Sequence, residues 1–320
     1  SPSITEGGSE IVITGDYFGP LGVNSDIQAH YGPSGSPNKY TATNCAVSSS
    51  QTEIRCNTIP GVGSGLMWSV TVGGQGSGVL TSKTTRYANP TVSTLTGAAV
   101  DADGTATTGG ADIVLTGTNF GPANAGTSIS VYYGPVSEPK KYDATAGCTV
   151  SLAHRRLTCK TVAGVGANLK WQVEIEGQAS IASSTTTKYI VPSINGLSGD
   201  AMAASGTTTY GGAAISISGT NFGPSSHTEV AAQYGPPGST EKYTATGCAV
   251  ISQTEITCVT APGVGKDLRW SVTVGAQVST VFTSDTTAYV VPEVTDLSGD
   301  AVISPSITEG GSEIVITGDY

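Results

Sequence analysis

A segment of seventeen residues, SPSITEGGSEIVITGDY, stands at Ser1–Tyr17 and returns without a change at Ser304–Tyr320. No other feature constrains the fold as much, because a period in the sequence dictates an architecture of successive units. Looser copies lie at Thr105–Asn119 and Thr207–Asn221. At an offset of 102 residues the segment keeps seven of its seventeen residues (Thr5, Gly7, Gly8, Ile11, Val12, Thr14 and Gly15); at 303 it keeps all seventeen. Three diverged units therefore form a block of 303 residues, and a near-identical block restarts at Ser304. The chain opens without a leader and stops one strand into a new unit, so the expectation is a window from a longer tandem array.

Each unit passes through the same stations. A proline (Pro90, Pro192, Pro292) opens a short strand such as Thr91–Gly97, and a polar stretch leads to a double glycine (Gly7-Gly8, Gly109-Gly110, Gly211-Gly212). Ile11/Ile13, Ile113/Leu115 and Ile215/Ile217 then alternate at period two, the signature of a half-buried strand. Gly-x-x-Phe-Gly-Pro ends that strand, with Phe18, Phe120 or Phe222 expected as a core plug; Tyr-Gly-Pro ends the next. A hairpin holding two cysteines follows, then a glycine-rich turn around Val62, Val165 or Val264. The next strand alternates Trp68/Val70/Val72, Trp171/Val173/Ile175 or Trp270/Val272/Val274, and a Thr-rich strand closes the unit at Tyr87, Tyr189 or Tyr289. No stretch sustains a helical period. About seven short strands per unit with turns between them predict a β-sandwich.

The cysteines fall one pair to a unit: Cys45/Cys56, Cys148/Cys159 and Cys248/Cys258. Two per unit are too few for a tetrahedral zinc site, and the three His are scattered. Disulfides within each unit are the better reading than free thiols, and they imply an oxidising compartment.

The order Pro-x-Ile/Val, Gly-Gly, Ile-x-Ile-x-Gly-x-Asn-Phe-Gly, Tyr-Gly, Cys-x-Val…Ile-x-Cys and Pro-Gly-Val-Gly…Trp-x-Val-x-Val resembles the IPT/TIG domain. That family is the immunoglobulin-like module of plexins, related receptors and some transcription factors. The resemblance covers all three units and the start of a fourth. It implies three tandem immunoglobulin-like β-sandwiches, all-β, at 1–89, 90–191 and 192–291, with 292–320 opening the next. The first lacks its linker strand and carries Asp16-Tyr17 where the others have Thr-Asn, read as a surface change. A family with several jobs does not settle function.

Enzymatic activity is not expected. His30, His154 and His227 stand at non-equivalent stations, and no Ser-His-Asp order or Glu pair recurs with them, so they read as exposed or satisfied histidines. The glycine turns lack the Lys-Ser/Thr of a phosphate loop and precede strands. Asp101-Ala-Asp103-Gly104 opens like a calcium loop, but Thr and Gly fill the later positions, and a solvated linker is the plainer reading. The tryptophans at period two with valine read as packing, with sugar-stacking platforms the alternative. No metal or cofactor is expected.

Charged residues are 12% of the chain, against roughly 25% in an ordinary domain. A net charge of −10 argues against nucleic acid or an anionic membrane as partner, and no apolar run reaches the length of a membrane span. The surface must then be built from Ser, Thr and Gly. Thr84, Thr85, Thr185, Thr186, Thr187, Thr286 and Thr287 have a plain reading as β-formers and a sharper one as O-glycosylation sites, with Ser36-Pro37 added as a hydroxyproline-type site. None of the ten Asn sits in a usable N-glycosylation sequon. The resulting expectation is an extracellular or cell-surface fibre, glycosylated and partnered by further copies of itself or by its own continuation. The alternative is an adhesion or receptor ectodomain that binds protein or carbohydrate through loops at one sandwich end.

Overall fold

A computed structural model describes residues 2–22, 26–123, 127–303 and 308–319; Ser1, Ser304 and Tyr320, which bound the two identical segments, lie outside the described residues. The chain is all-β, and its repeats are immunoglobulin-like sandwiches of two antiparallel sheets. In the first repeat one sheet runs Glu10–Thr14, Glu53–Asn57, Thr43–Ser49 in spatial order. The other runs Tyr40–Thr41, Ile27–Gly32, Leu66–Val72, Gln75–Gly76, with Leu80–Thr85 also paired on Leu66–Val72. The second and third repeats add a strand to the first sheet: Thr91–Thr96 lies on Asp112–Thr118, and Ser193–Ser198 on Ala214–Thr220. The equivalent strand Glu293–Ser298 pairs with Val315–Asp319 in a two-stranded sheet of its own.

The core follows from the period-two pattern. Leu66, Trp68 and Val70 turn inward on one face of their strand, as do Leu169, Trp171, Val173 and Ile175. Cross-strand register sets Tyr31 opposite Trp68, and their rings stack at 4.3 Å and 10°. Tyr133/Trp171 and Tyr234/Trp270 do the same at 4.2 and 4.1 Å. The three tryptophans are at most 5% exposed, which excludes them as sugar platforms. Phe18, Phe120 and Phe222 are buried. Each of these rings takes the space in front of a glycine: a Cβ on Gly117 would come 2.7 Å from Phe120 and 1.8 Å from the Thr91 carbonyl oxygen. Only glycine fits there.

Cys45–Cys56, Cys148–Cys159 and Cys248–Cys258 are bonded, each joining neighbouring segments of one sheet. A parallel bridge ties the segment before the double glycine to the end of the repeat: Ser3 lies beside Tyr87, and Thr207 beside Tyr289.

By compactness the chain falls into two units. One is Ser1–Thr105 with Gly109–Val162 and Asn168–Lys188; the other is Tyr189–Tyr320 with Ala106–Thr108 and Ala163–Ala167. The first unit holds the first repeat and most of the second. The other holds the third repeat, the trailing hairpin and two short segments of the second. Among the described residues no helix is long and apolar enough to cross a membrane.

Candidate functional site

Among the described residues, polar side chains from successive repeats converge at the junctions between them. Within the first unit, Val62 of the Pro-Gly-Val-Gly turn is 3% exposed. Its Cγ1 lies 2.5 Å from where Gly121 would carry a Cβ, so a glycine at 121 is a condition of the contact. Gln178 donates through Nε2 to the Tyr87 carbonyl at 2.9 Å and to Asn89 Oδ1 at 3.2 Å. Asn119 donates to the Asn89 carbonyl at 3.1 Å. His154 Nδ1 sits 3.0 Å from Thr5 Oγ1, and Thr5 is 1% exposed. Around this apolar and hydrogen-bonded centre lie two ion pairs, Arg155–Glu6 at 2.9 Å and Lys39–Glu176 at 3.5 Å. Both are partly exposed and worth at most about 1 kcal/mol each. Burial holds the His154 imidazole below its ordinary pKa; Glu6 pulls it upward and Arg155 adds to the lowering.

The second unit repeats these contacts with other residues. Val165, also 3% exposed, packs against Gly223 and Gly275. Gln277 donates to the Tyr189 carbonyl at 2.9 Å and accepts from the Gly166 N–H at 3.1 Å. Asn221 reaches the Val191 carbonyl, and Gln253 meets the Thr107 hydroxyl and carbonyl. Gln253 therefore does for Thr107 what His154 does for Thr5. The sequence reading took His154 for a scattered histidine; it stands five residues before Cys159, as Gln253 stands five before Cys258 and Gln51 five before Cys56. That spacing is the signal by which it could have been found. Tyr17, read as a neutral change, occupies the station of Asn119 and Asn221, and all three are left-handed (φ 65°, 62° and 62°).

The Thr-rich strands divide on inspection. Thr187 and Thr287 are 3% and 2% exposed, and their hydroxyls accept the indole N–H of Trp171 and Trp270 at 3.0 Å. Thr85 accepts from Trp68 at 2.9 Å. Each of these three hydroxyls thus takes up the indole N–H of its repeat's tryptophan, Thr187 and Thr287 in the core and Thr85 half-buried. Thr84 and Ser36 are exposed, and Thr185, Thr186, Thr286 and Pro37 are half-buried. His30 meets Thr41 at 3.0 Å, and His227 meets the Glu229 carbonyl oxygen at 3.0 Å. Among the described residues no group of three or more His, Cys, Asp or Glu could hold a metal ion.

A family model for the IPT/TIG domain matches residues 1–87 and 200–289, more than half of the chain. A search of the curated proteins found no match. Solved structures similar to the chain include the full extracellular region of plexin A4, at 17% identity and a TM-score of 0.27, covering 84% of this chain and 22% of that one. The chain thus spans about a fifth of that ectodomain. The Escherichia coli adhesin FdeC matches at 17% identity and a TM-score of 0.24, covering 88% of this chain and 93% of its own. Invasin, a bacterial integrin-binding protein, matches at 13% and 0.26, covering 90% and 62%.

Proposed function

Because the chain belongs to the IPT/TIG domain family, we propose that it is a structural extracellular protein, a filament, surface hair or glycocalyx fibre strung from repeats at 1–89, 90–191, 192–291 and onward from 292. The observation that carries this reading is the return of Ser1–Tyr17, unchanged, after 303 residues. Divergence among three repeats, beside a seventeen-residue segment that returns unchanged, suits a role in which length and regularity matter. A protein that recognised one ligand needs one good unit. Three disulfides support an oxidising compartment outside the cytoplasm. O-linked sugar on Thr84, Thr185, Thr186, Thr286 and the Ser36-Pro37 loop would solubilise a surface with only 12% charged residues.

A second reading, an adhesion or receptor ectodomain, is favoured by exposed apolar side chains outside the junctions: Val136 at 77%, Ile181 at 81% and Tyr210 at 83%. Electron microscopy of native material separates the two. A domain of 100 residues has a radius of gyration of about 13 Å, so a fibre of three per block should repeat axially at roughly 100–130 Å or a simple fraction of it. Discrete particles would overturn the fibre. Intact mass before and after chemical deglycosylation tests the sugar: a mass equal to that of the bare chain overturns it.

A further inference from the structure

The junction contacts of the two units are built alike except at one station. In the second unit Thr107, 2% exposed, donates its hydroxyl to Gln253 Oε1 at 2.5 Å, and the Gln253 amide donates to the Thr107 carbonyl at 3.2 Å. In the first unit Thr5, 1% exposed, meets His154 Nδ1 at 3.0 Å instead. A glutamine therefore suffices for this contact, and a glutamine holds it at every pH. Histidine is the side chain whose ordinary pKa falls between pH 5 and 8. Its presence at 154 adds proton binding to a contact that does not need it.

The surroundings favour the neutral ring. On the pattern of Thr107, the Thr5 hydroxyl donates to Nδ1, and the ring carries its own proton on Nε2. An imidazolium has no lone pair with which to accept. The hydroxyl would then be left with Asn119 Oδ1 and Glu6 Oε2, each at 3.5 Å. Glu6 is the anion that faces the ring, and it is already paired with Arg155 at 2.9 Å. The turn at 119–121 contributes Asn119 and backbone groups: the His154 N–H donates to the Gly121 carbonyl, and the Phe120 N–H to that of His154. Burial is the main influence holding the imidazole below its ordinary value, with Glu6 opposing and Arg155 assisting.

We propose that His154 makes the joint between the first and second repeats an acid-released latch, closed at neutral pH and opened when the ring takes up a proton, whereas the Thr107–Gln253 contact does not respond. On opening, Val62 leaves the space over Gly121, and the Thr5–His154 and Arg155–Glu6 pairs part. Val62 stands outside the core of the first repeat, so its release uncovers the joint and not the sandwich. Such opening is local and falls well short of global unfolding. Linkage fixes its direction. The ring is harder to protonate in the closed joint, so closure is complete above the ordinary value of about 6.5 and is lost as pH falls through the folded one. Between those two values the open fraction should rise by up to about tenfold per pH unit. The inference concerns this joint alone and is independent of the fibre reading.

The test uses the full 320-residue chain, whose six native cysteines are all bonded. Val62 is 3% exposed in the closed joint, so the thiol of Val62→Cys should meet 4,4′-dithiodipyridine only when the joint opens. Ser34→Cys, on an exposed turn of the same repeat, corrects for the reagent's own pH dependence. The ratio of the two rates should climb several-fold between about pH 7.5 and 5. Val165→Cys, at a position also 3% exposed in the second unit, should show no such climb, and His154→Gln should abolish it at position 62. A flat ratio at 62, a climb that Val165→Cys shares, or one that survives His154→Gln overturns the proposal. Nuclear magnetic resonance of the unmodified chain gives a reading that needs no cysteine variant to fold. The His154 ring should titrate below the ordinary histidine value, and the Val62 methyl signals should follow the same curve. A ring that titrates at the ordinary value, or methyl signals that ignore its titration, would also overturn the latch.

Discussion

Tyr31 and Tyr87 meet hydroxyl to hydroxyl at 2.7 Å in the core of the first repeat. The Tyr87 hydroxyl donates to the Ile59 carbonyl at 2.6 Å, and the Ile59 N–H donates to Tyr31 at 3.0 Å, so Tyr31 must donate to Tyr87. The backbone of one residue, Ile59, thus closes a ring of three hydrogen bonds that ties Tyr87 and Tyr31 to the loop before the Pro-Gly-Val-Gly turn. Tyr234, Tyr289 and Ala261 build the same ring in the third repeat. Tyr87→Phe strands a buried carbonyl and leaves Tyr31 without its acceptor, and should cost about 1–3 kcal/mol in urea unfolding. Burial also raises both hydroxyls above the usual tyrosine value. The folded state therefore keeps protons that the unfolded chain sheds above about pH 10. Stability from this ring is full below that pH and falls as the pH rises beyond it, a slope in melting temperature that Tyr87→Phe should reduce.

His154 titrates in the opposite direction. Its folded pKa is depressed, so its contribution is complete above the unfolded value of about 6.5 and is lost as pH falls through the folded one. The groups facing it are Thr5, Glu6 and Arg155. His154→Gln installs the residue that already serves at 253, and should keep neutral-pH stability while flattening its decline between pH 7 and 5. An unchanged acid slope would show that the imidazole does not sense the junction.

Gly121→Ala tests the valine contact. The new methyl would overlap Val62 Cγ1, at a backbone φ of 79° that alanine adopts poorly. A loss of roughly 1–3 kcal/mol is expected from thermal unfolding. The same change at Gly19, also left-handed but uncovered, should cost only its backbone term.

Tyr17→Asn should stabilise the first repeat. Asparagine accepts the left-handed backbone that tyrosine tolerates badly, so the variant should gain about 1 kcal/mol in unfolding measurements.

The strands, the buried tryptophans and the repeat were legible because each is written in local pattern: alternation at period two, turn residues, and a segment that returns. The junctions were not, because they are built from residues whose role depends on what faces them. Val62 reads as the middle of a turn, and only contact with Gly121 makes it a buried knob. His154 and Gln253 differ in type, so their common station emerges only when the units are aligned on their cysteines. Thr187 and Thr287 look like sugar sites in a Thr-rich run. Cross-strand register brings them under an indole N–H, and register is not readable from one strand alone. Tyr17 hides a backbone conformation that its own side chain argues against.

The bridge between Ser3 and Tyr87 bears on how such a chain meets force. Ser3 N–H donates to the Arg86 carbonyl and Ala88 N–H to the Ser3 carbonyl, both between segments that run in the same direction. A pull on the two ends of a repeat drags these parallel segments past one another, so their hydrogen bonds are loaded in shear and must fail together instead of unzipping singly. The tyrosine ring anchors the same last strand to the loop at Ile59 and backs that clasp from within the core. The disulfide closes only the short hairpin between Cys45 and Cys56, and limits the length of an unravelled repeat very little. Resistance to tension therefore rests on the Ser3–Tyr87 clasp, and softening that pairing should make the molecule extensible without making it reducible.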